Sequence, residues 1–438
     1  MKNQFKVGVA REVISPKLGV NLFGYTNDVF AEKVHDDLNV NVIALEQGEK
    51  KGILISADIC LVSQQITDAV KEGIFKETGF PCDNLTFATT HTHTGPETKC
   101  FPGYTKANEE YVNEILIPKT ITAAKKAIEN LTPAVMGVST TQSFVGVNRR
   151  QFTENGNVML GQNPFGSADT TMTVIAFKSL TGENLVNIVH YNAHGTSMGR
   201  VPQISRDWPG VMVDRLEKIT GATTVYFNGC IGDMGPRLSN GLTAGLHESD
   251  MEEIGALAAL DASKAYKQIK EYREVDFKLL KGEIKLPYDK IPSKQEVDSK
   301  LKEFGDIGEA TSLEGINFMQ AASLRVLKDM YERNVEIGDC KVIPQVIYAF
   351  NSTAIVPFLH ELFSSIALRL RYFSPFENTL CVSNSNDSNG YLPAKEDIAR
   401  GGYEVSGFFY LNPLKLRNDT DTTIIQENLK IMRKGLNK

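Results

Sequence analysis

Long hydrophobic runs are missing from this chain of 438 residues. No stretch approaches the roughly 20 apolar residues of a membrane-spanning helix, and the opening Met1-Lys2-Asn3-Gln4-Phe5-Lys6 lacks the apolar core of a secretory signal. A cytoplasmic protein without a transmembrane segment is therefore expected. Cysteine is scarce: Cys60, Cys82, Cys100, Cys230, Cys340 and Cys381 are scattered with no C-x-x-C pair. That spacing fits buried free thiols and argues against a disulfide framework, a cysteine-based metal site or redox chemistry. Dense basic blocks are absent too. Against 53 Asp and Glu stand 47 Lys and Arg, a net charge of −6, which speaks against a nucleic-acid or membrane-surface partner. No internal repeat is visible, which drops solenoid architectures. No G-x-S-x-G elbow occurs, and the glycine-rich turn at residues 229–235 is not followed by the Lys-Ser/Thr of a phosphate loop, so the usual serine-hydrolase and nucleotide signatures are missing.

What is present is ample core material, 42% hydrophobic against 23% charged residues, typical of a globular protein. The first half alternates short β-rich runs with amphipathic segments. Strands are expected at residues 40–45, 52–57, 85–90, 171–177, 185–190 and 223–227, rich in Val, Ile, Thr and Phe. Helical spacing appears in Ile117, Ile121, Ala124, Ile128 and Leu131, and again in Ile254, Leu257, Ala258, Ala262, Ala265 and Ile269. Residues 271–341 turn Lys/Glu-rich, with one strand at 277–286 and polar helices around 320–333, and read as an elaboration or small subdomain. Strand character returns at 342–350, 353–356 and 380–383. The mixture points to an α/β fold with helices layered on sheets.

Chemistry-bearing residues gather at the ends of these strands. In Thr89-Thr90-His91-Thr92-His93-Thr94-Gly95-Pro96, alternate residues of a strand would face one side. Two imidazoles there can address one metal ion or one substrate; equally, they can simply be hydrogen-bonded at a strand end. A second cluster, Asn192 to Met198 around His194, is followed by Ser205-Arg206-Asp207-Trp208-Pro209-Gly210. A third, Phe227 to Arg237, holds Gly232, Asp233 and Gly235 in a turn rich in backbone donors. Ligands of open α/β sheets collect at such strand ends. His190 and His247 read as structural; His35, next to Asp36 and Asp37, could reach a site but reads better as part of an exposed polar loop, and His360 is noted because Glu361 follows it.

Taken in order, these segments resemble the neutral, non-lysosomal ceramidase family of zinc-dependent amidases. The resemblance runs from Val7–Ile14 through Ser56-Ala57-Asp58, the His-Thr-His-Thr-Gly-Pro run, Asn148-Arg149, the His194 segment with Asp207, and Gly232-Asp233. It resumes at Pro357-Phe358-Leu359-His360-Glu361-Leu362-Phe363, Asn386 to Tyr391, and Gly402-Tyr403-Glu404. It implies one large catalytic domain over residues 1–438, a multilayer sandwich with two central β-sheets flanked by helices. It implies zinc held by His91, His194, Glu361 and Tyr391; composition and spacing alone would give both His91 and His93 to the metal. His93 then falls on a proton shuttle or oxyanion donor, Tyr403 on the group that meets the substrate amide, and Arg149 on an arginine near the substrate. Asp58 and Asp207 are expected to orient imidazole N–H groups.

Two imidazoles and a carboxylate form the usual catalytic zinc set. Zinc lowers the pKa of a bound water toward about 7 and polarises a carbonyl. One departure stands out: where the family carries a serine in a Gly-Asp-x-Ser-Pro run, this chain has Gly235. Since the metal ligands are kept and the serine is not, attack by zinc-bound water is the expected mechanism. The His-Pro-x-x-Met pattern also changes, to His194-Gly195-Thr196-Ser197-Met198, which alters the pocket wall. With no export signal and no C-terminal β-sandwich domain, the expected substrate is a small soluble amide. A metal-dependent esterase or lactonase, and a non-catalytic ligand-binding relative, are the alternatives.

Overall fold

Eight strands make the larger of two main sheets, in the order Thr223–Asn228, Asn184–Tyr191, Thr171–Ser179, Thr132–Gln142, Lys6–Val13, Asn39–Gln47, Lys50–Ala57 and Leu85–Thr89. The computed structural model describes residues 4–25, 28–100, 106–305 and 316–436. A four-stranded sheet follows the order Phe277–Pro287, Cys340–Phe350, Thr353–Pro357 and Asn378–Val382. The central strands carry β-branched and aliphatic residues on both faces. The run Asn39 to Leu45 is buried without interruption, the pattern of a strand covered on both sides.

At its middle the larger sheet is joined by a short ladder, Lys6↔Pro133 and Val7↔Thr132, extended by the Ala134 N–H donating to the Phe5 carbonyl at 3.0 Å. Its two halves therefore fold toward each other, and Ser56 Oγ on one donates to the carbonyl of Tyr226 on the other at 2.5 Å. The four-stranded sheet packs onto both halves through one shared core. There Phe5 stacks on Phe177 with centroids 5.7 Å apart and Phe277 stacks on Phe350 at 5.2 Å. Helices Gln64–Thr78 and Ile117–Glu129 cover one outer face. Helices Asp207–Thr220 and Glu248–Lys267 cover a second, and Ser364–Phe373 with Thr420–Leu436 cover the four-stranded sheet. Each fully buried aliphatic side chain in these layers contributes about 1.5–3 kcal/mol of transfer free energy. The result is the expected α/β multilayer with two central sheets flanked by helices.

Several elements have no clear counterpart in the sequence pattern: the strands Lys6–Val13 and Thr132–Gln142, and the helices Gln64–Thr78, Asp207–Thr220, Ser364–Phe373 and Thr420–Leu436. Pro209-Gly210 resembles a turn, yet it sits in the first turn of a helix, where the missing proline N–H costs nothing. The expected all-buried thiols are also corrected: Cys60, Cys82, Cys230 and Cys381 are buried, whereas Cys100 is exposed and Cys340 half-buried, and none of the six forms a disulfide. Among the described residues no helix is long and apolar enough to cross a membrane.

Candidate active site

Three pairs of parallel strands bring the site together: Lys50–Ala57 with Leu85–Thr89, Asn184–Tyr191 with Thr223–Asn228, and Thr353–Pro357 with Asn378–Val382. Chains leaving the carboxyl ends of these strands carry His91, His194, the Gly232–Gly235 turn and Glu361. Cross-ties hold the ends in register. Asn228 Nδ2 donates to the Thr90 carbonyl at 2.9 Å, Ser383 N–H to the Asn228 carbonyl at 3.1 Å, and Gly232 N–H to the Leu362 carbonyl at 2.8 Å. A short parallel ladder sets Glu361 directly opposite Tyr391.

The two motif histidines converge, but not by strand alternation. The strand stops at Thr89, and His91 has a left-handed backbone with φ of 62°. Thr92 instead bridges to Gly195, and His93 N–H donates to the Gly195 carbonyl at 3.1 Å. This turn, tied to the His194 loop, places the His91 ring centroid 4.9 Å from that of His93 and 4.7 Å from that of His194.

The hydrogen bonds fix what each ring offers. His91 Nδ1 lies 2.8 Å from the Cys60 carbonyl and His194 Nδ1 lies 3.0 Å from the Met234 carbonyl. A carbonyl only accepts, so His194 Nδ1 is protonated and its Nε2 presents a lone pair; at His91 the Cys60 carbonyl, the shorter contact, calls for the same tautomer, while Asn384 Nδ2 also lies 3.1 Å from Nδ1. These lone pairs face Glu361: His91 Nε2 is 3.7 Å from Oε1 and His194 Nε2 is 3.2 Å from Oε2. Neither His194 Nε2 nor Glu361 Oε2 has a hydrogen-bond partner although both are buried. Burial is the largest influence on both histidines and holds each below the ordinary imidazole pKa, so protonation does not relieve the opposition. Three buried acceptors aimed at one another fit a cation between them. Their ligand atoms lie within 4.8 Å of one another, as do those of a second overlapping set, Cys60, His91 and His93. Burial pushes the Cys60 thiol well above its ordinary value, so it stays protonated.

Around this cluster stand the other expected residues. Arg149 donates through Nη2 to the Tyr391 phenol oxygen at 3.2 Å and through Nε to Glu404 at 2.9 Å. Arg150 holds the second oxygen of Glu404 at 2.7 Å. Tyr403 packs against Tyr391 with centroids 5.6 Å apart, and burial raises its phenol to about 12, keeping the proton on. His93 has both ring nitrogens free of hydrogen bonds, and its ring rests on Gly24, where a Cβ would come within 2.4 Å. His93, Tyr391 and Tyr403, with Phe23, Leu61 and Leu411, line a cavity of about 50 Å3 that His91 and Glu361 also border.

Asp58 and Asp207 do not orient the imidazoles; backbone carbonyls take that part. Asp58 accepts the Asn39 N–H at 2.9 Å. Asp207 accepts the N–H groups of Ser197, Met198 and Trp208 at 2.7–3.0 Å, pinning the loop after His194, while Trp208 Nε1 donates to the His194 carbonyl. Asp233 accepts Ser364 N–H at 2.7 Å and Asn148 Nδ2 at 3.1 Å, and burial raises its carboxyl to about 7. It holds the turn together and does not line the cavity. Gly235 pairs with Val147, and a Cβ there would lie 2.6 Å from Thr243 Cβ. Thr243 thus fills the space that a serine would need.

Glu404, Arg150 and Cys60 are not singled out by the sequence. Glu404 adjoins Tyr403 in a noted segment, but its buried bridge between two arginines has no local signature. His190 Nε2 donates to the Cys381 carbonyl at 2.7 Å, and His247 caps the helix Glu248–Lys267.

The family description for the N-terminal part of neutral/alkaline non-lysosomal ceramidases matches residues 5–246. No curated protein matches the chain. Two solved structures are similar over 99% of this chain and 75% of theirs, each at 16% identity with a TM-score of 0.75: the neutral ceramidase of Pseudomonas aeruginosa, and a ceramidase complexed with C2.

Proposed function

The chain belongs to the neutral/alkaline non-lysosomal ceramidase family, and from that membership we propose that it is a zinc-dependent hydrolase cleaving an amide-type C–N bond of a small soluble substrate. The observation that carries the reading is the buried opposition of His91 Nε2, His194 Nε2 and the Glu361 carboxylate. Tyr391 is the fourth proposed ligand, its phenol oxygen already engaged by Arg149. When bound, zinc supplies a Lewis acid for the scissile carbonyl and acidifies a water for attack.

The side chains of this protein supply the rest. His93 can take a proton on one free ring nitrogen and deliver one from the other, as departure of an amine requires. Tyr403, kept protonated, donates its O–H toward the developing oxyanion. Arg149 offsets negative charge beside Tyr391, and Glu404 fixes its direction. The cavity of about 50 Å3 suits a compact acyl or lactam group better than two long chains. The Gly235 position is compatible with attack by water, because no hydroxyl is needed there.

Protein purified without added metal should carry close to one zinc per chain, and His91→Ala or Glu361→Ala should remove it. A metal-free native protein would overturn the zinc reading. Turnover of ceramide in detergent, with none of a panel of small N-acyl amides, lactams and esters, would overturn the substrate reading.

A further inference from the structure

A second, larger cavity of about 340 Å3 lies between the helices Lys294–Phe304 and Ile316–Glu332 and the segment that follows helix Tyr403–Tyr410. Its walls are mixed in a specific way. Leu324, Phe409 and Tyr410 give it apolar sides, and Lys300 and Lys415 bring two ammonium groups to its edge. Lys415 lies across Tyr410 with Nζ 4.8 Å from the ring centroid. Desolvation, then repulsion from Lys300, hold it below the ordinary lysine pKa. Among the described residues neither Lys300 nor Lys415 has a carboxylate within ion-pair distance, whereas the neighbouring Lys290 is committed to Glu296 at 2.7 Å. Glu296 is itself occupied, accepting the Ser293 N–H at 2.7 Å.

Lys300 and Lys415 thus repel each other beside the Tyr410 ring, with Asp289 attracting Lys415 but, among the described residues, no carboxylate in ion-pair contact with either. We propose that this cavity binds a small amphiphilic carboxylate, its head between Lys300 and Lys415 and its hydrocarbon body against Leu324, Phe409 and Tyr410. Charge complementarity selects the head group and the apolar walls select the body. The site is separate from the candidate metal centre, yet the same segment serves both, since Tyr403 and Leu411 line one cavity and Tyr410 and Asn412 the other.

Calorimetric titration of the full chain with decanoate tests this. One site per chain is expected, with decanol and decyltrimethylammonium binding at least about tenfold more weakly, the worth of one lost charge-assisted contact. Lys300→Met with Lys415→Met should weaken decanoate about tenfold or more. Both residues are exposed, and Lys300→Glu alone, at an exposed helical position, should give the same direction. Stripping metal with a chelator should leave decanoate affinity unchanged, which separates this site from the zinc reading. Equal binding of decanol, unaltered binding in the lysine variants, or loss on chelation would each overturn the proposal.

Discussion

The side chains that matter here are defined by what they lack. His91 and His194 spend their N–H groups on the carbonyls of Cys60 and Met234, and Glu361 has no donor for Oε2. Asp58 shows the same economy of partners in the core. Burial, the largest influence, raises its carboxyl to about 6, against about 3.9 in an unfolded chain. Between about pH 4 and pH 6 the folded protein holds a proton that the unfolded chain releases, so the contribution of Asp58 to stability falls as pH rises through that window. A difference of that size is worth about 3 kcal/mol. Asp58→Asn should flatten the pH dependence of urea unfolding over that window and raise stability at pH 7; an unchanged slope would show that Asp58 is ionised in the fold. Gly235→Ser should lower stability by about 1–3 kcal/mol through overlap with Thr243 Cβ. Adding Thr243→Gly should recover much of that loss in the urea midpoint.

At the scale of elements, close approach decides the layout. The strand Lys6–Val13 lies against helix Ile117–Glu129 so tightly that a Cβ on Gly8 would come within 2.1 Å of the Ala127 carbonyl oxygen. Backbone on both sides cannot yield cheaply, so Gly8→Ala should cost about 1–3 kcal/mol or more, read as a fall in the unfolding midpoint. The same glycine explains why this strand is hard to read in the sequence, since Gly and Ala weaken a β pattern. Asn39–Gln47 is legible because burial on both faces writes an apolar stretch at its centre, and Cys340–Phe350 because exposed and buried positions alternate before its wholly buried end from Ile347 to Phe350. The ladder of Glu361–Leu362 with Tyr391–Leu392 is not, because two residues carry no period. Strand alternation gives the right convergence of His91 and His93 for the wrong reason; a left-handed residue and a bridge to Gly195 bring the rings together.

For the molecule as a whole, the proposed ligands come from both main sheets, with His91 and His194 after strands of the larger and Glu361 after a strand of the smaller. A cation that binds only when these sheets are packed stabilises the packed state by mass action. Chelation should therefore lower the thermal unfolding midpoint, with a loss of about 3–4 kcal/mol if zinc stands at several hundred times its dissociation constant. Restoring zinc should reverse it, and His91→Ala should show no such shift. A midpoint insensitive to chelator in zinc-loaded protein would place the metal outside the packed core.

The amino-acid order alone determined the α/β class and the strand-end clusters around His91, His194 and Gly232–Gly235, because apolar periodicity and residue chemistry are local properties, while Arg149, Glu361, Tyr391 and Tyr403 came from the resemblance to a known family. Packing alone decided which nitrogen of each imidazole is free, that carbonyls rather than Asp58 and Asp207 orient the rings, and that Thr243 fills the place beside Gly235. Those outcomes depend on chain segments remote from one another in sequence meeting across sheet ends, and no local pattern encodes such a meeting.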